Sequence, residues 1–378
     1  MNEMHLHIIS FDIPYPADYG GVIDVFFKIK TLSNFGIKIH LHCFEYGSRK
    51  RQDELKKYCL EVDYYKRKTN ILSHIGITPY IIKSRISKDL EDKLLQDNYP
   101  ILCEGIHTCG ILLNKKFGNR KIIFRPSNVE HQYYRGLARN ESKILKKIFY
   151  TIEALKLKYW EKFLIKSSNI LPLSYKDFEY FKNNFPSKNI IRIFPFNSDD
   201  EVKIQAGKGN YALFHGNLTV RENIDIANFI IDKIANACDY QIVIAGKNPS
   251  GELTKQISST QNVRLISNPS EEDMSKLIAE AQIHLMFTFQ PTGFKLKLLN
   301  SVFNGRFIIA NREMLVGTGL ETCVYKADTG EQICKKILEL QDLEFSAEEI
   351  IKREKCITDD YYNHKKANVI IEMLNNDV

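Results

Sequence analysis

The chain lacks the features that mark several common classes of protein. No apolar run reaches the length of a transmembrane helix, and the opening residues Met1 to Met4 do not resemble a secretory signal. None of the eight cysteines forms a Cys-x-x-Cys pair, so zinc sites and thioredoxin-type sites have little support. Scattered cysteines of this kind predict a reduced, cytoplasmic protein.

Motifs for metals, dinucleotides and nucleic acids are also missing. There is no Asp-x-Asp pair and no Gly-x-Gly-x-x-Gly fingerprint of a dinucleotide site. The net charge of +7 fits an anionic partner, but the basic residues are dispersed and no nucleic-acid-binding motif occurs. We therefore expect no metal and no nucleic-acid partner, and a basic nucleic-acid-binding protein is the least favoured of the interpretations.

What is present is the pattern of a two-domain α/β protein. With 378 residues, 44% of them hydrophobic and 26% charged, the chain is long enough for two sizeable cores. Apolar strands alternate with helical patterns in both halves, which predicts parallel sheets. A polar, glycine-bearing stretch at 197–209 separates the halves, so we predict two Rossmann-like domains, at 1–200 and 201–378, that face a cleft.

One stretch of the second half predicts a glycine turn, a helix and a buried strand in succession. Apolar residues recur at helical spacing between 296 and 303, Gly305 is expected to end the helix in a left-handed cap, and 307–310 is a short apolar strand. Lys295 and Lys297 fall in the opening turns of the helix. Its amino terminus is therefore a predicted anion site, because backbone N–H groups and the helix dipole both favour a phosphate there.

The same stretch resembles a motif of GT-B glycosyltransferases in the large retaining family often called family 4. That family carries two glutamates seven residues apart, with a Gly-x-x-x-x-Leu-Leu core between them and a buried strand after them. The matching positions here are Gly293, Leu298, Leu299, Gly305 and the strand at 306–310. Thr292 and Asn300 occupy the glutamate positions. The resemblance implies that Thr292 is a catalytic residue that contacts the donor sugar. It also implies that Asn300 binds the nucleotide ribose and that Gly293 and Phe294 line the donor.

The loop after the first strand fits the same resemblance. The strand at 5–10 is followed by Pro14 and Pro16 and then by Gly20 and Gly21. In the family, a Pro-Pro…Gly-Gly segment borders the donor diphosphate and the acceptor. The resemblance therefore implies that Gly20 and Gly21 bind the donor, and the alternative is a plain turn.

A histidine follows the predicted strand at 101–106. In an open α/β sheet, a residue at the carboxyl end of a strand points toward the ligand crevice, so His107 is a candidate catalytic residue. The alternative is a histidine that is hydrogen-bonded inside the domain.

A further segment with a family counterpart begins at Arg125. Several bacterial glycosyltransferases have Arg-x-His-Asn-x-Glu here, and this chain matches the segment at Arg125, Asn128 and Glu130. The resemblance implies that Arg125 and Asn128 lie on the acceptor side and that Glu130 is catalytic. Ser127, also on the acceptor side, replaces a histidine that is thought to touch the acceptor or the transferred sugar. The nearby His131 or the strand-end histidine would have to substitute for it.

The second half opens with a strand and a loop suited to a phosphate. Gly216 and Asn217 allow the backbone to approach a ligand, and Arg221 can reach a phosphate with two hydrogen bonds. In the family this loop holds the donor diphosphate, so Arg221 and the two helix lysines would replace a metal. The alternative for any single basic residue is a solvated surface charge. By the same resemblance, Ile266 packs on the nucleobase.

Residues 141–166 predict a long basic helix. Apolar residues recur near a 3.6-residue period and lysines surround them, with Trp160 as the only tryptophan of the chain. Such a helix can lie on an anionic membrane. The alternative is that its apolar face belongs to the core and that its lysines are merely solvated.

These features predict a glycosyltransferase that moves a sugar from a UDP- or GDP-sugar to a hydroxyl of a glycan or lipid-linked acceptor, with retained configuration and without a cofactor. The resemblance implies a role in surface polysaccharide or glycoconjugate synthesis, in the cytoplasm at the inner face of the membrane. It also implies that the last helix, about 359–376, packs on the first domain. Because Thr292, Asn300 and Ser127 depart from the family pattern, a catalytically impaired binding or partner subunit is the alternative.

Overall fold

The computed structural model describes residues 3–289 and 295–375, without the side chains of Ile71 and Leu72. The described chain forms two compact units. The first contains residues 3–198 and 360–375, and the second contains residues 199–289 and 295–359. The carboxyl-terminal segment therefore belongs to the first unit.

The first unit is built on a parallel sheet of seven strands. They are β1 (His5–Ser10), β2 (Lys38–Glu45), β3 (Glu61–Lys66), β4 (Ile101–Glu104), β5 (Ile122–Arg125), β6 (Asn169–Ile170) and β7 (Asn189–Ile190). The order across the sheet is β3-β2-β1-β4-β5-β6-β7. Its helices are α1 (Gly20–Asn34), α2 (Tyr80–Lys83), α3 (Lys88–Leu94), α4 (Glu130–Asn140), α5 (Ile144–Trp160), α6 (Tyr175–Asn184) and, from the end of the chain, α14 (Asn363–Asn375).

The second unit repeats this plan with six parallel strands. They are β8 (Ala212–Asn217), β9 (Ile242–Lys247), β10 (Val263–Ser267), β11 (Ile283–Met286), β12 (Phe307–Ala310) and β13 (Tyr325–Lys326), in the order β10-β9-β8-β11-β12-β13. Its helices are α7 (Arg221–Ile230), α8 (Gly251–Ser258), α9 (Glu271–Glu280), α10 (Leu296–Asn304), α11 (Arg312–Leu315), α12 (Gly330–Leu340) and α13 (Ala347–Cys356).

Both sheets have the strand order of a Rossmann domain. In each sheet, the first three strands of the chain follow one another to one side, and the fourth strand lies on the other side of the first. The strand order therefore reverses between β1 and β4 and between β8 and β11. Ligands of such sheets bind at the carboxyl ends of the strands on either side of this reversal. The predicted α/β class with two Rossmann-like parallel sheets is confirmed.

The apolar strand patterns explain how the first sheet is covered. Leu6 and Ile8 of β1 belong to a cluster that includes Ile29 of α1 and Ile370 of α14, whereas Ile9 packs on the opposite face. A strand with apolar residues on both faces is typical of parallel sheets covered by helices on both sides. Helix α14 packs against α1 and completes one of these layers.

The amino-terminal part of this sheet carries four histidines on one face. His5 and His40 pair through their ring nitrogens at 3.0 Å, and His7 and His42 pair at 2.8 Å. Burial lowers the pKa of His7 to about 4, although the carboxylate of Asp97 opposes the shift. His7 is therefore neutral at pH 7, and burial also holds the pKa of His42 well below its ordinary value. The cluster lies at the end of the strands opposite the predicted ligand crevice.

The segment at 141–166 is divided where we predicted one long helix. Helix α5 begins at Ile144, after the shorter α4, and a 3-10 helix follows at Glu161–Lys166. Ala154, Leu157 and Trp160 are buried, while the residues from 142 to 148 are exposed. Core packing therefore accounts for a second face of α5, whereas residues of the predicted apolar face such as Ile152, Leu155 and Tyr159 are exposed.

The end of α10 also differs from its prediction. Gly305 follows the helix with φ near −104°, so it is not the left-handed cap that we expected. A Cβ atom at this position would lie 2.3 Å from Nε2 of His284 on β11. Glycine is needed here because the chain passes against a buried imidazole.

The cysteine prediction requires a correction. Cys323 and Cys356 form a disulfide, with their Cα atoms 5.8 Å apart, so the chain is not fully reduced as we expected. The two positions are 33 residues apart in sequence, and only the packing of α13 brings them together. The other six cysteines are free and buried. Cysteine usage therefore no longer supports the assignment to a reducing compartment.

The polar stretch between the halves is attached to the second unit. Gly207 and Phe345 exchange two backbone hydrogen bonds, and the amide of Lys203 donates to the carbonyl of Phe303 at 2.8 Å. Residues 203–207 are thus held in place by backbone contacts.

Candidate functional site

The carboxyl ends of β1 and β4 bring several predicted residues together around Phe11. The rings of Phe11 and His107 are 5.3 Å apart. A Cβ at Gly21 would lie 2.8 Å from the Phe11 ring, and a Cβ at Gly105 would lie 3.5 Å from Oγ of Ser127. Gly105 also has a φ of +69°, which favours glycine. This first strand-end surface therefore holds Gly21, His107 and Ser127 close to one another at the strand-order reversal.

His107 lies in this surface as a neutral imidazole. Its Nδ1 is buried and has no hydrogen-bond partner in the part of the chain that the structure describes. Burial, helped by the guanidinium groups of Arg85 and Arg67, holds the pKa of His107 well below its ordinary value. A buried nitrogen without a protein partner favours the ligand-facing interpretation over that of a hydrogen-bonded core histidine.

Gly20 lies at the start of α1, beside an ordered loop. The preceding Tyr19 donates its hydroxyl to Asp12 at 2.7 Å, and Arg49 binds Asp18 at 2.7 Å. Desolvation of the Tyr19 hydroxyl and its hydrogen bond to Asp12 raise the pKa of Tyr19 above the ordinary range. These contacts fix the loop that carries the glycine pair.

Arg125 is enclosed by the protein. It is 1% exposed, and its guanidinium donates to both carboxylate oxygens of Asp24 and to the backbone carbonyls of Leu171, Ile193 and Phe194. These contacts use all five of its N–H donors. The acceptor-side role predicted for Arg125 does not fit this geometry, because no donor is left for a ligand. The residue instead ties the ends of β5 and β7 to α1.

Asp24 joins Arg125 to a second buried cation. Lys28 is fully buried and binds Asp24 at 3.0 Å and Glu104 at 2.6 Å. Although burial alone would raise the pKa of Asp24, Arg125 and Lys28 hold it well below its ordinary value. We call Asp24, Lys28, Glu104 and Arg125 the buried ion cluster. Two acids and two bases cancel within it, so it is balanced internally.

Glu130 is a buried carboxyl group at the start of α4. Burial raises its pKa to about 7, with Asp177 adding to the shift and a hydrogen bond from Asn128 opposing it. The predicted residues Asn128 and Glu130 are thus in contact. A carboxyl group that is close to half-protonated at neutral pH can donate or accept a proton, as catalytic acids and bases do.

His131, the neighbour of Glu130, has a different environment. Its Nδ1 lies 2.5 Å from Oε1 of Glu161, whose other oxygen accepts hydrogen bonds from Tyr180 and Lys158. The imidazole is 2% exposed. His131 therefore belongs to an internal network that joins α4 to the helices that follow, and the geometry does not favour it as a substitute for the family's histidine.

The second strand-end surface begins at the end of β8. A Cβ at Gly216 would lie 2.9 Å from the amide of Asn223, which donates to the carbonyl of Asn217 at 2.9 Å. Glycine therefore allows this loop to close on the start of α7. Arg221, the first residue of α7, is 85% exposed at its side chain and pairs with Asp225 at 2.9 Å.

Two lysines lie near the same loop and contact no charged partner among the described residues. Lys295 precedes α10, Lys297 is in its first turn, and neither ammonium makes a hydrogen bond or ion pair with a described residue. Burial lowers the pKa of Lys297 to about 8 and also lowers that of Lys295, with Glu222 opposing both shifts. The Lys297 ammonium lies 5.1 Å from the centre of the Phe214 ring. The lysine pair therefore concentrates positive charge where the ammonium groups are partly shielded from water.

The groups around the lysine pair do not neutralise it. Glu222 already accepts a hydrogen bond from the hydroxyl of Thr288. His215 has a buried Nε2 without a partner among the described residues, and burial, with Lys297 adding to the effect, lowers its pKa to about 4. The imidazole is therefore neutral, and one carboxylate faces two ammonium groups.

Asn300 lies one to two turns further along α10. Its Nδ2 donates to Asp199 at 3.3 Å, while its Oδ1 is buried and has no partner in the described chain. Ile266, on β10, is half-buried and packs at the edge of the apolar cluster around Tyr211 and Leu213. Thr292, Gly293 and Phe294 lie outside the described residues, so their donor-binding roles stay predictions.

Sequence reasoning missed Lys28, Asp24 and Glu222. The first two are four residues apart on α1, and that spacing alone is a signal for a helical ion pair. Glu222 gave no usable signal, because an acidic residue in a first helical turn is ordinary and its relation to α10 arises only in the folded unit.

The described residues contain neither a candidate metal cluster nor a candidate membrane-spanning helix. No group of three or more His, Cys, Asp or Glu side chains there could hold a metal ion. No helix among residues 3–289 and 295–375 is both long enough and apolar enough to cross a membrane.

One protein relative covers most of the chain. An uncharacterized 44.6 kDa protein in the cps region of Klebsiella pneumoniae is 30% identical over 331 residues, which cover 82% of this chain and 84% of the relative. No family model matches the chain.

Several solved structures share the fold at much lower identity. A glycosyltransferase from Rickettsia africae ESF-5 is 13% identical with a TM-score of 0.66, over 99% of this chain and 98% of that one. TarM is 11% identical with a TM-score of 0.70, over 100% and 99%. The pneumococcal O-GlcNAc transferase GtfA, in complex with UDP and GlcNAc, is 10% identical with a TM-score of 0.65, over 99% of each chain. The chain therefore belongs to the family of the 44.6 kDa protein of Klebsiella pneumoniae and has the GT-B fold of glycosyltransferases.

Proposed function

We propose that the protein is a retaining, metal-independent glycosyltransferase. It would move a sugar from a UDP- or GDP-sugar to a hydroxyl of a glycan or lipid-linked acceptor, on the cytoplasmic side of a membrane. The fold supports the reaction class, and the cps region of the Klebsiella pneumoniae relative supports a role in surface polysaccharide or glycoconjugate synthesis.

The observation that carries the proposal is the lysine pair Lys295 and Lys297. Desolvated ammonium groups without a contacting counter-ion are unfavourable until an anion binds. They lie at the start of α10, where the helix dipole also favours negative charge. Such groups are preorganised to stabilise the charge that develops on a departing diphosphate. Arg221, exposed at the start of α7, would add a third cation on the solvent side.

The nucleotide would continue along α10. The Oδ1 of Asn300 needs a hydrogen-bond donor, and a ribose hydroxyl would supply one. Thr292 would contact the donor sugar and Ile266 the base. Gly216 and Asn217 would let the loop after β8 approach the phosphates.

The acceptor would bind at the first strand-end surface. His107 is neutral, and its Nδ1 lacks a partner among the described residues. It can therefore accept a hydrogen bond from a hydroxyl or donate one to it, according to its tautomer. Glu130 would serve as the group that exchanges a proton at neutral pH. Ser127, beside Gly105, would provide a hydroxyl contact.

The second candidate is a catalytically impaired binding or partner subunit. It is favoured by the neutral residues Thr292 and Asn300 at the family's two glutamate positions, because hydrogen bonds to a carboxylate are about twice as strong as those between neutral groups. This candidate predicts nucleotide binding at most, without sugar transfer.

A thermal-shift screen against UDP, GDP and their common sugars tests the proposal, first without metal and then with Mg²⁺. A ligand at 100 times its Kd stabilises the folded state by about 2.7 kcal/mol, so a donor should raise the melting temperature clearly without metal. Transfer would then be followed by NMR of the anomeric proton, which distinguishes retention from inversion. The absence of any shift would refute the donor site. A shift without turnover on candidate acceptors would favour the partner subunit.

A further inference from the structure

Helix α5 presents an apolar surface to solvent. Ile144, Leu145, Ile148, Ile152, Leu155 and Tyr159 are all exposed, from 47% for Ile152 to 83% for Leu145. Scattered exposed aliphatic residues are ordinary in soluble proteins, but six on one helix form a continuous patch. Core packing therefore does not account for them.

The six residues share one face of the helix. With 3.6 residues per turn they fall within an arc of roughly 100°, and the buried residues Ala154, Leu157 and Trp160 fall outside it. The helix thus has two apolar faces. One packs into the first unit and the other is without a partner in the described chain.

The neighbouring loop extends the exposed apolar face. Ile75 and Ile77 are 60% and 69% exposed. The loop is held against α5, because the rings of His74 and Phe149 are 5.8 Å apart and Lys156 donates to the carbonyl of His74 at 3.1 Å. Two further isoleucines are therefore exposed beside the helix.

Basic residues lie beside α5, and Arg135, Arg139 and Lys147 line a common cavity with Leu155. Between 132 and 152 there are five basic side chains and one acidic side chain, Glu141, so the local net charge is 5 − 1 = +4. The basic residues are Arg135, Arg139, Lys143, Lys146 and Lys147, all of them exposed. We call the six apolar residues of α5 and these five basic residues the α5 surface.

We propose that the α5 surface docks the protein on a membrane face rich in anionic lipid. Aliphatic side chains can enter the boundary between headgroups and acyl chains while the adjacent lysines and arginines contact lipid phosphates. The charge argues against a second copy of this chain as the occupant, because a two-fold contact would place one +4 surface against another. The inference does not depend on the proposed enzymatic function.

Vesicle flotation of the full chain tests this inference. We expect binding to vesicles of phosphatidylcholine with 30% phosphatidylglycerol, and at least tenfold weaker binding to pure phosphatidylcholine or in 0.5 M NaCl, because salt screens the charge contribution. The triple variant I144S/L145S/I148S should partition at least tenfold less. All three side chains are exposed, so the fold should survive, as a circular dichroism melt would check.

A matched control replaces three exposed aliphatic residues of the second unit, as L338S/L343S/I351S. This control should bind anionic vesicles as the unaltered protein does. The charge-reversal variant K143E/K146E/K147E should not bind them. Equal binding by the apolar triple variant and the control would overturn the inference. The inference would also be overturned if the unaltered protein did not float with anionic vesicles. It would be overturned as well if the unaltered protein were a dimer in solution and the I144S/L145S/I148S variant were a monomer.

Discussion

Both units carry cationic side chains near the carboxyl ends of their strands, but the two units differ in whether carboxylates pair with these cations. At the strand ends of the first unit, Lys28 and Arg125 are each bound to carboxylates at about hydrogen-bond distance. At the strand ends of the second unit, Lys295 and Lys297 contact no counter-ion among the described residues. All four cations are at least partly removed from water, but only the first pair is neutralised.

This difference separates structural charge from charge kept for a ligand. Removing one member of a buried, paired set leaves an uncompensated charge and destabilises the fold. Removing an unpaired, desolvated charge relieves a penalty, and what it loses is affinity for an anion. Stability and binding should therefore respond in opposite ways to similar substitutions in the two units.

The largest expected effect comes from breaking the buried ion cluster. Lys28→Met keeps the apolar stem but leaves Glu104 without its cation at 2.6 Å. Loss of one partner of a buried pair typically destabilises by about 3–5 kcal/mol. Trp160, the only tryptophan, is buried in the first unit, so urea unfolding followed by its fluorescence reports on this unit.

The control for this substitution is Lys295→Met in the second unit. It should leave the Trp160 transition within about 0.5 kcal/mol of the unaltered protein, the usual range for substitutions away from paired buried groups. Equal destabilisation of that transition by both variants would remove the distinction between the two sites.

The next effect concerns Glu130 and pH. Its folded pKa of about 7 lies above the ordinary value of 4.5, so the folded state holds a proton that the unfolded state has lost between these pH values. Stability therefore falls as pH rises from 4.5 to 7, by about 3 kcal/mol at 1.36 kcal/mol per unit. Glu130→Gln should remove this slope and gain stability relative to the unaltered protein above pH 7.

The comparison uses Trp160 fluorescence in urea at pH 4.5, 6 and 7.5. Gln132→Ala, an exposed and non-ionisable neighbour on the same turn, is the matched control and should keep the slope. A pH dependence that is the same in Glu130→Gln and Gln132→Ala would show that Glu130 titrates normally.

A smaller effect is expected from Lys297→Met, and it concerns binding. The affinity for UDP or GDP should fall at least tenfold, equivalent to about 1.4 kcal/mol, while the melting temperature without ligand does not fall. Because the pKa of Lys297 is about 8 without ligand, nucleotide affinity should also decline as pH rises above 8. Calorimetry at pH 7, 8 and 9 would measure this decline, which should be absent in the variant.

Loss of affinity together with a lowered melting temperature would instead make Lys297 a structural residue. Lys255→Met, a substitution of an exposed lysine on α8, controls for the general effect of net charge on anion binding.

The smallest effect is expected from Arg221→Ala. Its side chain is 85% exposed and shares its charge with Asp225, so solvent and salt screen its contribution to phosphate binding. We expect about a threefold to tenfold loss of nucleotide affinity and no change in stability. Unchanged affinity in both Arg221→Ala and Lys295→Ala would remove the phosphate-site assignment.

Local sequence patterns were sufficient for most of the elements. Strands β1 and β12 begin and end where the predicted apolar runs do. Boundaries that depend on packing were less accurate. The predicted helix at 141–166 is an α-helix only at Ile144–Trp160 and continues as a 3-10 helix at Glu161–Lys166.

The predicted residues near the strand ends have different environments in the folded protein. His107, Gly21 and Ser127 come together, since parallel strands bring their carboxyl ends to one edge and the spacing along the chain already implies it. Arg125 follows the same rule but is surrounded by Asp24 and three carbonyl groups. No local pattern indicates that these partners lie within reach.

The order of strands and helices therefore follows from periodicity, because burial of alternating or helical apolar residues is a local property of the chain. Which charges are neutralised is decided only when distant segments pack. Arg125 meets Asp24 and Cys323 meets Cys356 across such packing, while Lys295 and Lys297 contact no counter-ion in the described chain. The energy of a buried charge depends on its nearest neighbours in space. Those neighbours exist only in the folded unit, so the tertiary structure distinguishes a structural cation from a binding one.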